Sequence, residues 1–105
     1  MAILPYVYSN PAQIDSGIQR AVQALAPDVV RIRYSLDDDW VGDPSVFFRV
    51  VISDEAVRAR RLAETAERIM EGIREEVRPE ELGIHAYFNF RNFSEESKDP
   101  DPEWA

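Results

Sequence analysis

The chain has 105 residues, of which 12 are basic, 20 acidic, one His and none Cys, and its formal net charge is -8. This length predicts one domain, and a 45% hydrophobic composition can offset the entropy lost on folding. The acidic charge weighs against binding to nucleic acid or anionic membrane driven by phosphate attraction alone. The lack of cysteine excludes disulfides, thiol catalysis and Cys-ligated metal sites.

Nothing in the chain predicts membrane insertion or secretion. No segment approaches the roughly 18 apolar residues of a membrane span. The N-terminus lacks the basic region of a signal peptide, and Pro5 interrupts its short apolar run. We therefore expect a soluble, cytoplasmic protein with no membrane contact.

The first half of the chain predicts a helix followed by a hairpin. Residues 3 to 8 could form an edge strand or an extended arm, since Pro5 cannot donate to a ladder. A helix is expected between Asn10-Pro11 and Ala26-Pro27, with the apolar stripe Ile14, Ile18, Val22 and Leu25. Period-two alternation then predicts two antiparallel strands, joined by a loop over residues 37 to 44. Their core-facing residues are Val30, Ile32, Tyr34 and Leu36, then Val46, Phe48, Val50 and Ile52.

The second half predicts one long helix and a last strand. Ser53 and the acids after it favour a helix start. Its apolar stripe is Leu62, Ala66, Ile69, Met70, Ile73 and Val77. A further helical turn over residues 79 to 83 precedes a strand from Ile84 to Phe93.

The element order (β)αββαβ predicts an α+β, two-layer sandwich with both helices on one face of an antiparallel or mixed sheet. We expect the last strand beside the first hairpin strand. If residues 3 to 8 pair, the topology is ferredoxin-like; otherwise it is a three-stranded variant. The predicted domain covers residues 1–93.

Residues 94–105 form an acidic tail with five acids, one lysine and two prolines. This composition predicts a segment that is mobile, or wrapped on the surface without regular structure. Trp104 would either pack back on the domain or bind a partner.

The most unusual expected feature is the sheet face that points away from the helices. Alternation places on it Arg31, Arg33, Phe47, Arg49, Val51, His85, Tyr87, Asn89 and Arg91. Such a face could contact an acidic partner or a second copy of the chain. It could also stack bases and neutralise phosphates, or be covered by the acidic tail.

The loop and the single histidine do not predict catalysis. Residues 37 to 43 hold four aspartates, but consecutive side chains diverge and the spacing does not fit a calcium loop. Trp40 at the loop tip is a lid or a partner anchor. His85 has no nucleophile beside it on its strand. We therefore expect no catalytic residue, no metal site and no cofactor.

The chain carries no enzyme motif. The sequence favours a small, non-enzymatic protein-interaction module, either an acidic protein that neutralises a basic partner, of the antitoxin or immunity type, or a homo-oligomer. The alternative is an RNA- or nucleotide-binding domain using the same face, which the net charge disfavours. The expected interaction residues are Arg31, Arg33, Trp40, Phe47, Arg49, His85, Tyr87, Asn89, Arg91 and Trp104.

Overall fold

Helices and strands are mixed along the chain in a computed structural model, which describes residues 11–58 and 62–104. The possible strand at residues 3 to 8 lies outside these residues. The helices are α1 (Ala12–Ala24), α2 (Asp54–Arg58), α3 (Leu62–Val77) and α4 (Phe93–Lys98). The strands are β1 (Val29–Asp38), β2 (Pro44–Ile52) and β3 (His85–Asn92). Short 3-10 turns cover Pro79–Leu82 and Pro102–Trp104.

The strands form one mixed sheet in the order β1-β2-β3. The strand pair β1–β2 is the expected antiparallel hairpin, and β3 pairs with β2 in parallel. The expectation that the last strand lies beside the first hairpin strand is therefore wrong. The chain from β2 through α3 to β3 is a simple crossover between adjacent parallel strands. Residues 11–58 and 62–104 thus form an α+β fold with a three-stranded mixed sheet.

The hydrophobic core lies between the sheet and the helices α1 and α3. Both helices contribute to a single buried cluster, which confirms that they share one sheet face. Its fully buried side chains include Ile14 of α1, Phe48 and Val50 of β2, and Ile69 and Ile73 of α3. Burial of these apolar side chains is the main driving force that holds the two layers together.

A β-bulge at the start of β1 changes one expected core residue. Val29 pairs with Ile52, but Arg31 pairs with Val51, so Val30 is an extra residue in the strand. As a result Val29 is 3% exposed and Val30 is 40% exposed, and the expectation that Val30 faces the core is wrong. The bulge resets the alternation, which stays in phase from Arg31 onward.

The C-terminal segment (residues 93–104) packs on the sheet face opposite α1 and α3. It contains helix α4 and the final 3-10 turn, and both contact β2. The expectation that the tail lacks regular structure is therefore wrong. Asn92 explains the helix start, because its side chain accepts a hydrogen bond from the backbone N–H of Glu95, 2.7 Å away.

Among the helices that the structure describes, none combines the length and apolar character that crossing a bilayer requires.

Candidate functional site

The strand register arranges the predicted interaction residues in rows across the open face of the sheet. One row is Arg31, Val51 and Arg91, and the next is Arg33, Arg49 and Asn89. The third row is Ser35, Phe47 and Tyr87, and the fourth is Asp37, Ser45 and His85. The face thus has an arginine end and an aromatic, acidic end.

At the arginine end, three side chains form what we call the arginine cluster: Arg31, Arg49 and Arg91. All three contact the C-terminal segment. Arg31 donates from Nε to the carbonyl of Trp104 at 2.9 Å, and Arg49 donates from Nε to the carbonyl of Glu103 at 2.6 Å. The positive charges that the sequence places on this face therefore lie beneath the acidic end of the same chain.

Glu96 is the carboxylate that links the C-terminal segment to the arginine cluster. It is only 7% exposed, and its Oε2 lies 2.7 Å from Nη1 of Arg91. Its Oε1 lies 3.7 Å from Nη2 of Arg31. A carboxylate is retained at such a buried position only when cations and hydrogen bonds compensate its desolvation, as these arginines do.

A second contact fixes the start of α4 independently of the arginines. The carboxylate of Asp54 accepts hydrogen bonds from the backbone N–H and the hydroxyl of Ser94, at 3.0 and 2.5 Å. These two hydrogen bonds, together with nearby cations, outweigh burial and hold the pKa of Asp54 below its ordinary value. The N-terminus of α4 is thus joined to the N-terminus of α2.

At the other end of the face, Trp40, Phe47 and Tyr87 form an aromatic cluster. The rings of Phe47 and Tyr87 stack with centroids 5.3 Å apart, and the Trp40 ring tilts against Tyr87 at 5.0 Å. Trp40 nevertheless remains 79% exposed, and its neighbour Val41 is 70% exposed. The hairpin loop therefore presents a tryptophan to solvent while one side of its ring contacts the sheet.

Asp39 organises the loop beneath Trp40. Its Oδ1 accepts hydrogen bonds from the backbone N–H groups of Val41 and Asp43, and its Oδ2 accepts one from the Tyr87 hydroxyl at 2.8 Å. Burial tends to raise the pKa of Asp39, but these hydrogen bonds outweigh it and lower that pKa. The hydrogen bond to Asp39 raises the pKa of Tyr87, and burial adds to this.

Three possible metal ligands lie together beside this loop. Oxygen atoms of Asp39 and Asp43 and a ring nitrogen of His85 all lie within 4.8 Å of one another, and Asp43 Oδ2 lies 3.4 Å from His85 Nε2. Both oxygens of Asp39 already accept hydrogen bonds, however. The cluster therefore has a structural role, holding the loop against β3, that needs no cation. The ring of His85 thus lies beside the carboxylates of this loop.

The remaining predicted residues lie at the edges of these clusters. Arg33 donates to the carbonyl of Ile32 and lines a groove beside α1. Asn89 is exposed and lines a groove between the two ends of the face, together with Phe47 and Trp104. Trp104 is half-buried, and its ring centroid lies 5.7 Å from the guanidinium carbon of Arg91.

Sequence reasoning missed Asp39 and Glu96 as individual residues. Asp39 was one of several loop acids, and nothing in its spacing distinguishes it from Asp38. Glu96 could have been suspected from Asn92, since an Asn capping residue followed by acids predicts a helix start rather than an irregular tail.

No protein-family description, curated protein or solved structure matches this chain.

Proposed function

We propose that this protein is a cytoplasmic, non-enzymatic module that binds a basic protein through the Trp40 loop. The observation that carries the proposal is the 79% exposure of Trp40 on a loop whose backbone is fixed by Asp39. Tryptophan is the residue type most enriched among the few side chains that dominate protein–protein binding energy. A rigid loop also reduces the entropy lost when such a side chain enters a pocket.

The charge around Trp40 selects the kind of partner. Residues 37 to 43 contain four aspartates and no basic residue, and Asp37, Asp38 and Asp43 are all exposed. A partner with an apolar pocket and a basic rim would complement this loop in shape and in charge. An exposed tryptophan among aspartates would suit a protein that neutralises a basic partner by covering its functional surface.

The same charges argue against a homodimer through the loop. In a symmetric dimer with the loop on the two-fold axis, the loop would face its own copy and the aspartates of both chains would meet. Like charges opposed across an interface cost several kcal/mol. A homodimer is therefore the less favoured form of the protein-interaction proposal.

The nucleic-acid alternative is supported less well. It needs arginines that can reach phosphates, whereas Arg31, Arg49 and Arg91 each donate to the C-terminal segment. The aromatic rings that could stack bases lie next to the acidic loop, which would repel a phosphate backbone.

The first prediction tests the loop by comparing two exposed aromatic residues. Phe93 is 48% exposed and follows the opposite end of β3, so Phe93→Ala is a matched control for Trp40→Ala. Each protein would be immobilised, and captured proteins from the native host would be identified, purified and measured by calorimetry. We expect a basic protein that binds with 1:1 stoichiometry. Trp40→Ala should weaken its affinity at least about 30-fold, and Phe93→Ala less than about threefold.

Circular dichroism must show that both variants remain folded. Because the loop is acidic, affinity for the partner should also fall as the salt concentration rises. The proposal fails if Trp40→Ala binds the purified partner as tightly as the wild type. It also fails if sedimentation shows a wild-type dimer that Trp40→Ala dissociates, since the loop would then contact a second copy.

A further inference from the structure

We infer that the arginine cluster is a binding site for an acidic peptide containing an aromatic residue, and that residues 99–104 of the chain occupy it. A ligand supplied by another protein would share the chemistry of residues 99–104 of this chain. This surface is separate from the Trp40 loop, so the inference does not depend on the proposed function.

The contacts are of the kind that recognise a peptide. Each guanidinium donates to a main-chain carbonyl: Arg49 to Glu103, Arg31 to Trp104, and Arg91 to Asp99 at 3.1 Å. Three arginines thus follow the backbone of the segment. Such hydrogen bonds from charged donors are stronger than those between neutral groups.

Side chains add selectivity to these main-chain contacts. The Trp104 ring lies against Arg91 at a distance suited to a cation–π interaction. The carboxylate of Asp101 accepts a hydrogen bond from the backbone N–H of Glu103 and so stabilises the turn that brings Trp104 to the sheet. An aromatic residue after a short acidic turn is therefore the feature that a competing peptide must supply.

Residues 99–104 can leave the face without unfolding α4. The helix is fixed by its Asn92 cap, by Ser94 on Asp54, and by Glu96 on Arg91. All three contacts lie before residue 99. Most of the following residues are exposed, among them Asp99, Pro100, Pro102 and Glu103. The segment therefore resembles a docked peptide ligand joined to the domain by a fixed helix.

Peptide chemistry fits the site better than a phosphate backbone does. The carboxylate of Glu96 stays between Arg31 and Arg91 when residues 99–104 leave, because it belongs to α4. It would repel a phosphate, whereas it accepts a peptide N–H in the present structure, that of Asp101 at 3.4 Å. A peptide can offer both carbonyls to the arginines and an N–H to Glu96.

The test uses full-length protein and a labelled peptide with the sequence of residues 99 to 105, DPDPEWA. Because a tethered segment competes at an effective concentration of about 1 mM, the wild type should bind the free peptide weakly. The double variant Pro102→Gly/Trp104→Ala weakens the internal competitor. By fluorescence anisotropy, it should bind the peptide at least about tenfold more tightly than the wild type does.

The affinity of the double variant for the peptide is then compared after each of two further arginine substitutions. Arg49→Ala should remove most of the binding, because it deletes the donor to the peptide carbonyl. Arg20→Ala removes the same charge from α1, on the other side of the sheet, and should change the affinity less than about twofold.

The inference is overturned if the double variant, shown by circular dichroism to be folded, binds the peptide no better than the wild type. Equal losses for Arg49→Ala and Arg20→Ala would overturn it as well, because binding would then follow net charge alone. It is also overturned if an oligothymidine of similar charge binds the variant more tightly than the peptide does.

Discussion

A single buried carboxylate fixes the loop that exposes Trp40. Asp39 is 9% exposed and accepts hydrogen bonds from two backbone N–H groups of its own loop and from Tyr87 on β3. The loop therefore does not depend on Trp40 for its shape. This division of roles leaves the tryptophan ring available for contact.

The second prediction concerns the stability that Asp39 provides. Asp39→Ala leaves its donors without an acceptor and should lower the Tm by roughly 5–10 °C at pH 7. Asp38→Ala, at an exposed neighbouring position, should change the Tm by less than about 2 °C. Thermal unfolding followed by circular dichroism measures both, and equal effects of the two variants would contradict the role assigned to Asp39.

The pH dependence of this effect follows from the direction of the pKa shift. The pKa of Asp39 is lower in the folded than in the unfolded protein, so its ionised form stabilises the fold. This stabilisation is complete above about pH 5 and is lost as the pH falls below about 4 toward the folded-state pKa. The difference in Tm between wild type and Asp39→Ala should narrow over the same range.

At the scale of elements, α1 and α3 pack closely because of one glycine. A Cβ at Gly17 would lie 2.6 Å from the carbonyl oxygen of Glu76 and 2.9 Å from the Cα of Val77. The backbone of α3 cannot move away without disturbing the buried cluster beneath it. Gly17 therefore allows the two helix backbones to approach closely at this point.

The third prediction compares two helical glycines. Gly17→Ala should destabilise the protein by about 2 kcal/mol or more, since the clash with backbone exceeds the gain in helix propensity. At Gly72 a Cβ would meet only the Leu25 side chain, at 3.1 Å or more. Because that side chain can adjust, Gly72→Ala should change the stability by less than about 1 kcal/mol. Urea unfolding measures both, and a neutral Gly17→Ala would contradict the close approach.

At the scale of the whole molecule, the net charge of -8 conceals a separation of charges. Acidic side chains surround Trp40 at one end of the sheet face, and arginines covered by the acidic C-terminal segment occupy the other end. Glu96 links the C-terminal segment to the sheet, because its carboxylate is buried between them. The segment and the sheet should therefore lose stability together when this carboxylate is removed.

The fourth prediction tests this coupling. Glu96→Gln leaves Arg31 and Arg91 without their buried counter-charge and should lower the free energy of unfolding by about 2 kcal/mol. Glu95→Gln removes the same charge from an exposed position and should cost less than about 0.5 kcal/mol. Hydrogen exchange should also become faster in α4 of Glu96→Gln. Unchanged protection there would contradict a role for Glu96 in holding the segment.

The sequence by itself determined α1, α3 and the three strands of the described residues, and the faces that most of their side chains present. Helical spacing located Ile69, Ile73 and Val77 in the core, and alternation placed Arg49 and Tyr87 on the other face of the sheet. These features depend on the local geometry of the chain, which repeats every 3.6 residues in a helix and every two in a strand.

Tertiary structure decided which elements meet. The sequence could not indicate that β3 pairs with β2, because either neighbour would bury the same apolar residues. It could not place the extra residue at Val30, since a bulge is fixed by pairing across strands. Likewise, nothing in the spacing of residues in the sequence distinguishes Asp39 from Asp38. Nor does it indicate that Glu96 lies beside Arg31 and Arg91. The pairing of β3 with β2, the contact of Tyr87 with Asp39 and that of Arg31 with Glu96 all join residues distant in the chain, so only the packed fold specifies them.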